Sequence, residues 1–177
     1  MKQLKLKSGK PFTVAEACPG DAEEILHYLN AVGGESDNLL FGKDDFQMPL
    51  ERERGFIESV AKDEKSLMLL GRADGMIVSV SSLSGFSARE RIAHRAEIAV
   101  SVRKEYWNLG IGTAVMRELM DYARSHGIEV LQLTVRADNF AAVHVYEKLG
   151  FEKVGLYKRY FKIGESYYDA FLMNLYF

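Results

Sequence analysis

Two periods of apolar residues divide the chain into elements. Phe12 to Cys18 reads as a short first strand, which Pro19-Gly20 ends. Asp21 stands where a helix N-cap is expected, and Ala22, Ile25, Leu26, Leu29 and Val32 follow at the spacing of one helical face. Gly33-Gly34 stops that helix. A second helix is predicted from about Leu50, with Phe56, Ile57 and Val60 on one side. Glu35 to Pro49, between the two, is irregular and sets Leu39, Leu40 and Phe41 beside Asp37, Asp44 and Asp45.

Leu67 to Leu70 and Met76 to Val80 are apolar runs joined through Asp74-Gly75, a hairpin signal. Arg91 to Val102 reads as a further strand, paired with its predecessor through a turn near Ser87 to Glu90. A glycine loop and a helix to about Ser125 come next, striped by Ile111, Val115, Leu119, Met120 and Ala123 and stopped at Gly127. Val130 to Val135 alternates Leu131, Leu133 and Val135 with Gln132, Thr134 and Arg136. Ala137 to Leu149 is predicted as a helix ended by Gly150. Two aromatic-rich strands close the chain, about Glu152 to Tyr160 and Tyr167 to Tyr176. The order βαα, βββ, αβ, αββ predicts one mixed sheet with helices on its faces.

Composition narrows the class. A length of 177 residues fits one domain, spanning residues 1–177. Hydrophobic residues make up 47% and charged residues 27%, the balance of a globular chain. With 23 basic and 25 acidic residues the net charge is −2, which argues against nucleic acid as a partner. No stretch approaches ~18 consecutive apolar residues, so no membrane span is expected. The basic start, Met1 to Lys10, is followed by no apolar run of a signal peptide, and a cytoplasmic protein is the expectation. Cys18 is the one cysteine, which excludes an intrachain disulfide and a cysteine metal site; it reads as a small packed residue. The four histidines form no metal pattern, so no metal is expected.

The block from Val100 to Thr113 carries the first chemistry. A strand runs into Asn108-Leu-Gly110-Ile-Gly112-Thr113, and this loop opens a helix. Gly110 and Gly112 let the backbone turn tightly and let a ligand approach. The free N–H groups of the first turn, with the helix dipole behind them, suit a pyrophosphate. No Gly-Lys-Ser/Thr follows, so this is not a Walker loop. A dinucleotide fingerprint would need a third glycine where Val115 stands.

Some 26 residues past Gly112 comes Asp138-Asn-Phe-Ala-Ala-Val-His-Val-Tyr-Glu-Lys-Leu-Gly-Phe151. The two blocks together resemble the GCN5-related N-acetyltransferase (GNAT) family. Its cofactor loop, Gln/Arg-x-x-Gly-x-Gly/Ala, is matched by Trp107-Asn-Leu-Gly110-Ile-Gly112. Its second block is matched by Asn139 and by Tyr146-Glu-Lys-Leu-Gly150-Phe151. Trp107 departs from the pattern, which has Gln or Arg there. The closing segment Tyr167 to Leu175 resembles the last strand of members that acetylate protein N-termini and small amines.

The resemblance implies the GNAT fold, an α/β (α+β) class with a single mixed, mostly antiparallel seven-stranded sheet flanked by about four helices. It implies an acetyl-CoA-dependent N-acetyltransferase acting on a primary amine by direct attack. Val100 and Val102 would pair with the pantetheine arm, Asn108, Leu109, Gly110, Ile111, Gly112 and Thr113 would hold the pyrophosphate, and Asn139 would touch the cofactor. Tyr146 would protonate the departing thiolate; a phenol near pKa 10 and a thiol near 8.5 are close enough for this. Its other reading is packing, at helical spacing with Phe140 and Val143. Glu97 is the leading general base, yet strict alternation sets it on the face opposite Ile98, Val100 and Val102, and a β-bulge would be needed to bring it round. Otherwise Glu97 faces solvent or pairs with Arg95. Asp37, Asp44 and Asp45 either attract an ammonium or form a solvated loop. The alternative function is a catalytically silent acyl-CoA-binding regulatory module. A homodimer through the strand Tyr167 to Phe177 is a further expectation.

Overall fold

Strands and helices fall where the two periods put them, with differences at four places that bear on the site. The computed structural model describes Met1–Phe177 throughout. The strands are β1 (Lys2–Lys5), β2 (Pro11–Glu16), β3 (Leu67–Ala73), β4 (Met76–Gly85), β5 (Arg95–Val102), β6 (Val130–Arg136), β7 (Glu152–Ile163) and β8 (Ser166–Tyr176). The helices are α1 (Ala22–Gly33), α2 (Leu50–Lys62), α3 (Ile111–Ser125) and α4 (Phe140–Lys148). One mixed, mostly antiparallel sheet runs β1-β2-β3-β4-β5-β6-β8-β7, with β5 and β6 its parallel pair.

The sheet therefore has eight strands rather than the expected seven. β1 pairs antiparallel with β2 from Lys2↔Val14 to Lys5↔Pro11. Its sequence, Lys-Gln-Leu-Lys, holds a single apolar residue, so no period announces it; lysine-rich edges of this kind discourage further pairing. β5 starts at Arg95 rather than Arg91, because Glu90–Ile92 winds into a 3-10 turn. α4 starts at Phe140 rather than Ala137, because Asn139 caps it: Ala142 N donates to Asn139 Oδ1 at 3.3 Å. β8 lies between β6 and β7, with both edges paired, so Tyr167 to Phe177 has no edge to offer a dimer; the open edge on that side is β7. Cys18, expected to be packed, is exposed.

Two cores flank the sheet. α3 turns Ile111, Val115, Met116, Leu119 and Ala123 onto one face, where they meet Leu131 and Met173. Each of these side chains larger than Ala123 contributes roughly 1.5–3 kcal/mol by leaving water. α1 and α2 cover the other face with a smaller core around Ile25, Tyr28, Ile57 and Leu70. α2 buries only Glu53 and Ile57 there, and that thin contribution leaves a gap beneath the helix. No helix is long and apolar enough to cross a membrane.

Candidate active site

The parallel pairing of β5 with β6 covers Arg95↔Val130, Ala96↔Leu131 and Glu97↔Gln132, and the strands then diverge. β5 stays paired with β4 in unbroken register from Gly85↔Ala96 to Ser79↔Val102. Phe86 N donates to Arg95 O at 3.1 Å, and Arg103 N donates to Val78 O at 2.9 Å. Backbone groups alternate in direction along an antiparallel strand, so Ile98, Val100 and Val102 turn theirs toward the split. The indole of Trp107 donates from Nε1 to the carbonyl of Val102 at 2.7 Å. That carbonyl is therefore taken, and Val100 presents both backbone groups to the opening.

The glycine loop sits at the wide end of this split. Asn108 and Gly110 adopt φ of 63° and 91°, a conformation glycine accepts without strain. Gly110 is the N-cap of α3, and the first helical bond runs from Ala114 N to Gly110 O at 3.0 Å. The N–H groups of Ile111, Gly112 and Thr113 thus have no acceptor within the helix. A Cβ added to Gly112 would meet no protein atom within 4 Å, so the ground before this turn is open. Lys7, just past β1, braces the loop: its N–H donates to Leu109 O at 3.0 Å, and its Cγ lies 3.7 Å from where a Cβ on Gly110 would stand. The sequence reading did not find this cation because it did not find β1.

Tyr146 is half-buried on α4, 6.0 Å from the ring of Phe151, and its hydroxyl makes no hydrogen bond with the protein. Phe140, its expected packing partner, is 76% exposed. Burial pushes the phenol up to about 12. An unfolded tyrosine ionises near pH 10, so the stability contributed by the protonated side chain is full below pH 10 and is lost as pH rises toward 12. Wild type is expected to lose about 2 kcal/mol more than Tyr146→Phe between about pH 9 and about pH 11.5, read from urea midpoints. Equal losses would mean that the phenol titrates as an exposed one does.

Glu97 is exposed and lies, as alternation requires, on the face opposite Ile98, Val100 and Val102. No bulge interrupts β4 and β5. That opposite face is the one under α1 and α2, which Ala99 and Ser101 share. Arg95 bonds Gln132 instead of Glu97. A cavity of about 390 Å³ opens there between α1, α2, the 35–49 segment and β3 to β5. Leu29, Leu39, Phe41, Met48 and Met68 supply its walls, and Ala99 and Val100 its floor.

The 35–49 segment is fastened at both ends. Asn30 clasps Phe46, donating from Nδ2 to its carbonyl at 3.2 Å and accepting its N–H at Oδ1 at 2.9 Å. Glu35 accepts from Lys104 N at 2.6 Å and Arg103 Nε at 3.2 Å, just beyond β5. Arg136, 7% exposed, donates to the Asp37 carbonyl at 2.9 Å, grips Asp138 through two bonds and lies 4.0 Å over the ring of Tyr168. Asp37, Asp44 and Asp45 are all exposed, and none lines the cavity. The carboxyl that does line it, Glu53, went unremarked in the sequence. Its signal was a charged residue on the apolar helical face of Leu50, Ile57 and Val60. No group of three or more His, Cys, Asp or Glu residues stands close enough to hold a metal ion.

Residues 36–151 match the acetyltransferase (GNAT) family. The N-alpha-acetyltransferase RimI of Mycobacterium tuberculosis is 33% identical over 103 residues, 58% of this chain and 61% of that protein. The chain thus spans less than two thirds of that relative's length. The L-amino acid N-acetyltransferase AaaT of Escherichia coli is 30% identical over 128 residues, 72% of this chain and 78% of that one. The crystal structure of a GNAT-family acetyltransferase from Streptococcus pneumoniae superposes with a TM-score of 0.90 at 32% identity, covering 94% of this chain and 99% of the other.

Proposed function

The chain belongs to the acetyltransferase (GNAT) family, and on that premise we propose that it moves the acetyl group of acetyl-CoA to the α-amine of an amino acid or of a peptide N-terminus. The observation that carries this reading is the split of β5 from β6 beside the open N-terminal turn of α3. An extended pantetheine would pair with Val100 as an added strand does, and the N–H of Val100 would polarise the thioester carbonyl. The pyrophosphate would lie against Asn108, Leu109, Gly110, Ile111, Gly112 and Thr113, where the open space before Gly112 supports the fit. Val102 offers its N–H alone, and Asn139 its amide nitrogen, since the oxygen caps α4.

The amine would attack from the α1–α2 face of β5, the strand face that carries Glu97 two residues before Ala99, and Glu97 would take its proton, directly or through water. The new C–N bond forms as the C–S bond breaks, and Tyr146 gives its proton to the leaving sulfur. Burial that lifts the phenol lifts a buried thiol as well, so the two stay close enough for the transfer. Peptide α-amines suit this site because, with pKa near 8, about a tenth of them is unprotonated at neutral pH; a free amino acid, whose own carboxylate raises the pKa of its amine, leans more on the base. The names of the relatives, an N-alpha- and an L-amino acid acetyltransferase, support the same acceptor class. Residues 1–177 act as one domain in this reading. The cytoplasm, which supplies acetyl-CoA, is its compartment, and a homodimer would extend the sheet through β7.

Release of CoA thiol from acetyl-CoA, across pools of amino acids, α-amino peptides, polyamines and aminoglycosides, tests the proposal. Release with the first two pools is expected. A melting shift with acetyl-CoA but no release from any pool would favour the silent acyl-CoA-binding module. A further expectation concerns Lys7: Lys7→Ala should raise the KM for acetyl-CoA about three- to tenfold, chiefly at low salt, and leave the acceptor KM unchanged. An unchanged KM would remove Lys7 from the phosphate site.

A further inference from the structure

A carboxyl without a partner is buried in the cavity wall. Glu53 is 4% exposed, and its side chain makes no hydrogen bond or ion pair with the protein. Burial alone raises its pKa, with no cation or donor to offset it. Its oxygens keep a narrow opening onto the cavity, and a carboxylate so little hydrated is costly. Leucine or methionine would suit that position on the apolar face of α2 better. The cost is understandable where a cation arrives with the ligand.

The surroundings describe that ligand. The walls are apolar, and a volume of about 390 Å³ lies in the range of small-molecule sites. Arg52, the neighbour of Glu53 on α2, stands exposed at the rim without a carboxylate partner. Ala99 and Val100 bring the cavity to the strand that faces the split. Cation, anion and apolar side chain branching from one carbon are the features of an α-amino acid residue. We propose that Glu53 holds the acceptor's ammonium group, that the cavity takes the apolar side chain of the same α-amine, and that Arg52 meets its carboxylate or first carbonyl. The inference rests on the acetyl-transfer reading and names the acceptor within it: a residue the size of methionine or phenylalanine, free or at the start of a peptide. Glu53 lowers the acceptor's KM and sets its selectivity, while Glu97 remains the proton acceptor.

The test uses the full chain, wild type and Glu53→Gln, with L-phenylalanine, the peptide Phe-Gly-Gly and 3-phenylpropanoate, which lacks the amine. In the presence of CoA, wild type is expected to bind phenylalanine at least tenfold more tightly than the des-amino acid, and Glu53→Gln to lose that preference. In turnover, Glu53→Gln should raise the KM of one or both amines at least tenfold, with kcat within about threefold and the KM of acetyl-CoA unchanged. Because Gln removes an unpaired buried carboxyl, the variant should melt no lower than wild type. A preference retained in Glu53→Gln, or an unchanged KM for both amines, would overturn the assignment. The binding measurement decides it even if no acetyl is transferred, so failure of Glu53 and failure of the acetyl-transfer reading are separate results. Loss of Phe-Gly-Gly binding alone would identify the peptide as the source, and loss of phenylalanine alone the free amino acid.

Discussion

Tyr146→Phe is expected to lower kcat for amine acetylation about 100-fold while leaving the melting shift with acetyl-CoA within about a degree of wild type. The substitution removes one hydroxyl from a half-buried ring that otherwise packs against Phe151. No hydrogen bond within the protein is lost, so the fold has little reason to respond. On the proposed mechanism the departing thiolate, by contrast, would lose its proton source, and a positioned general acid contributes about 10²–10⁴ in rate. A 100-fold loss corresponds to about 2.7 kcal/mol of transition-state stabilisation. Equal loss in kcat and kcat/KM would place the contact in the transition state alone. A loss under about threefold would return Tyr146 to a packing role and leave the thiolate to be protonated by water or by the proton released from the amine.

The second large effect concerns the seating of the 35–49 segment. A Cβ on Gly33 would come 2.1 Å from the carbonyl oxygen of Gly42 and 2.7 Å from its carbon. Both are backbone atoms, so no side-chain rotation relieves the clash. Gly33→Ala is expected to cost about 2–4 kcal/mol in urea unfolding, or to lift the segment and raise the acceptor KM by more than tenfold. Gly34 is the control. Its added Cβ has as nearest neighbours the Cβ and Cγ of exposed Lys43, both at 3.2 Å, and Gly34→Ala should stay within about 0.5 kcal/mol of wild type. A Gly33→Ala protein with normal stability and normal acceptor KM would contradict the close contact of α1 with this segment.

The features of the candidate site whose backbone placement was legible in the sequence are those fixed by local geometry. The turn Asn108 to Thr113 announces itself because glycines before a helical stripe leave few backbone choices, and the structure builds that turn at α3. The turning of Val100 and Val102 toward the split follows from alternation once the strand is known. Glu97 is instructive. Alternation sets it on the far face, and only a bulge would bring it round. The structure keeps it on the far face, because no bulge interrupts the pairing of β4 with β5. What stayed illegible was non-local. β1 has almost no apolar period, and its existence depends on β2 lying beside it. Trp107 reads as a departure from a motif until its indole is seen to bond Val102. Glu53 reads as one charge in a charged helix start, and only the packing of α2 against α1 and β3 makes it buried. The interior position of β8 is a matter of strand order, which spacing along the chain does not encode.

The brevity of the β5–β6 pairing has a mechanical meaning as well. Every other junction in the sheet is an antiparallel ladder of at least four residue pairs, whereas this one has three and is parallel, the slightly weaker kind. The sheet is thus two panels, β1 to β5 and β6 to β8, joined along a short seam and spanned behind by α3. Slow exchange of backbone amides for deuterium should reveal the seam: protection at β6 on its β5 side should trail that of β3 and β4. A strand-like ligand lying in the gap would stitch the panels together, and its binding energy would appear as tightening of the whole sheet rather than of one loop. A protein built this way is held at its firmest while it is loaded.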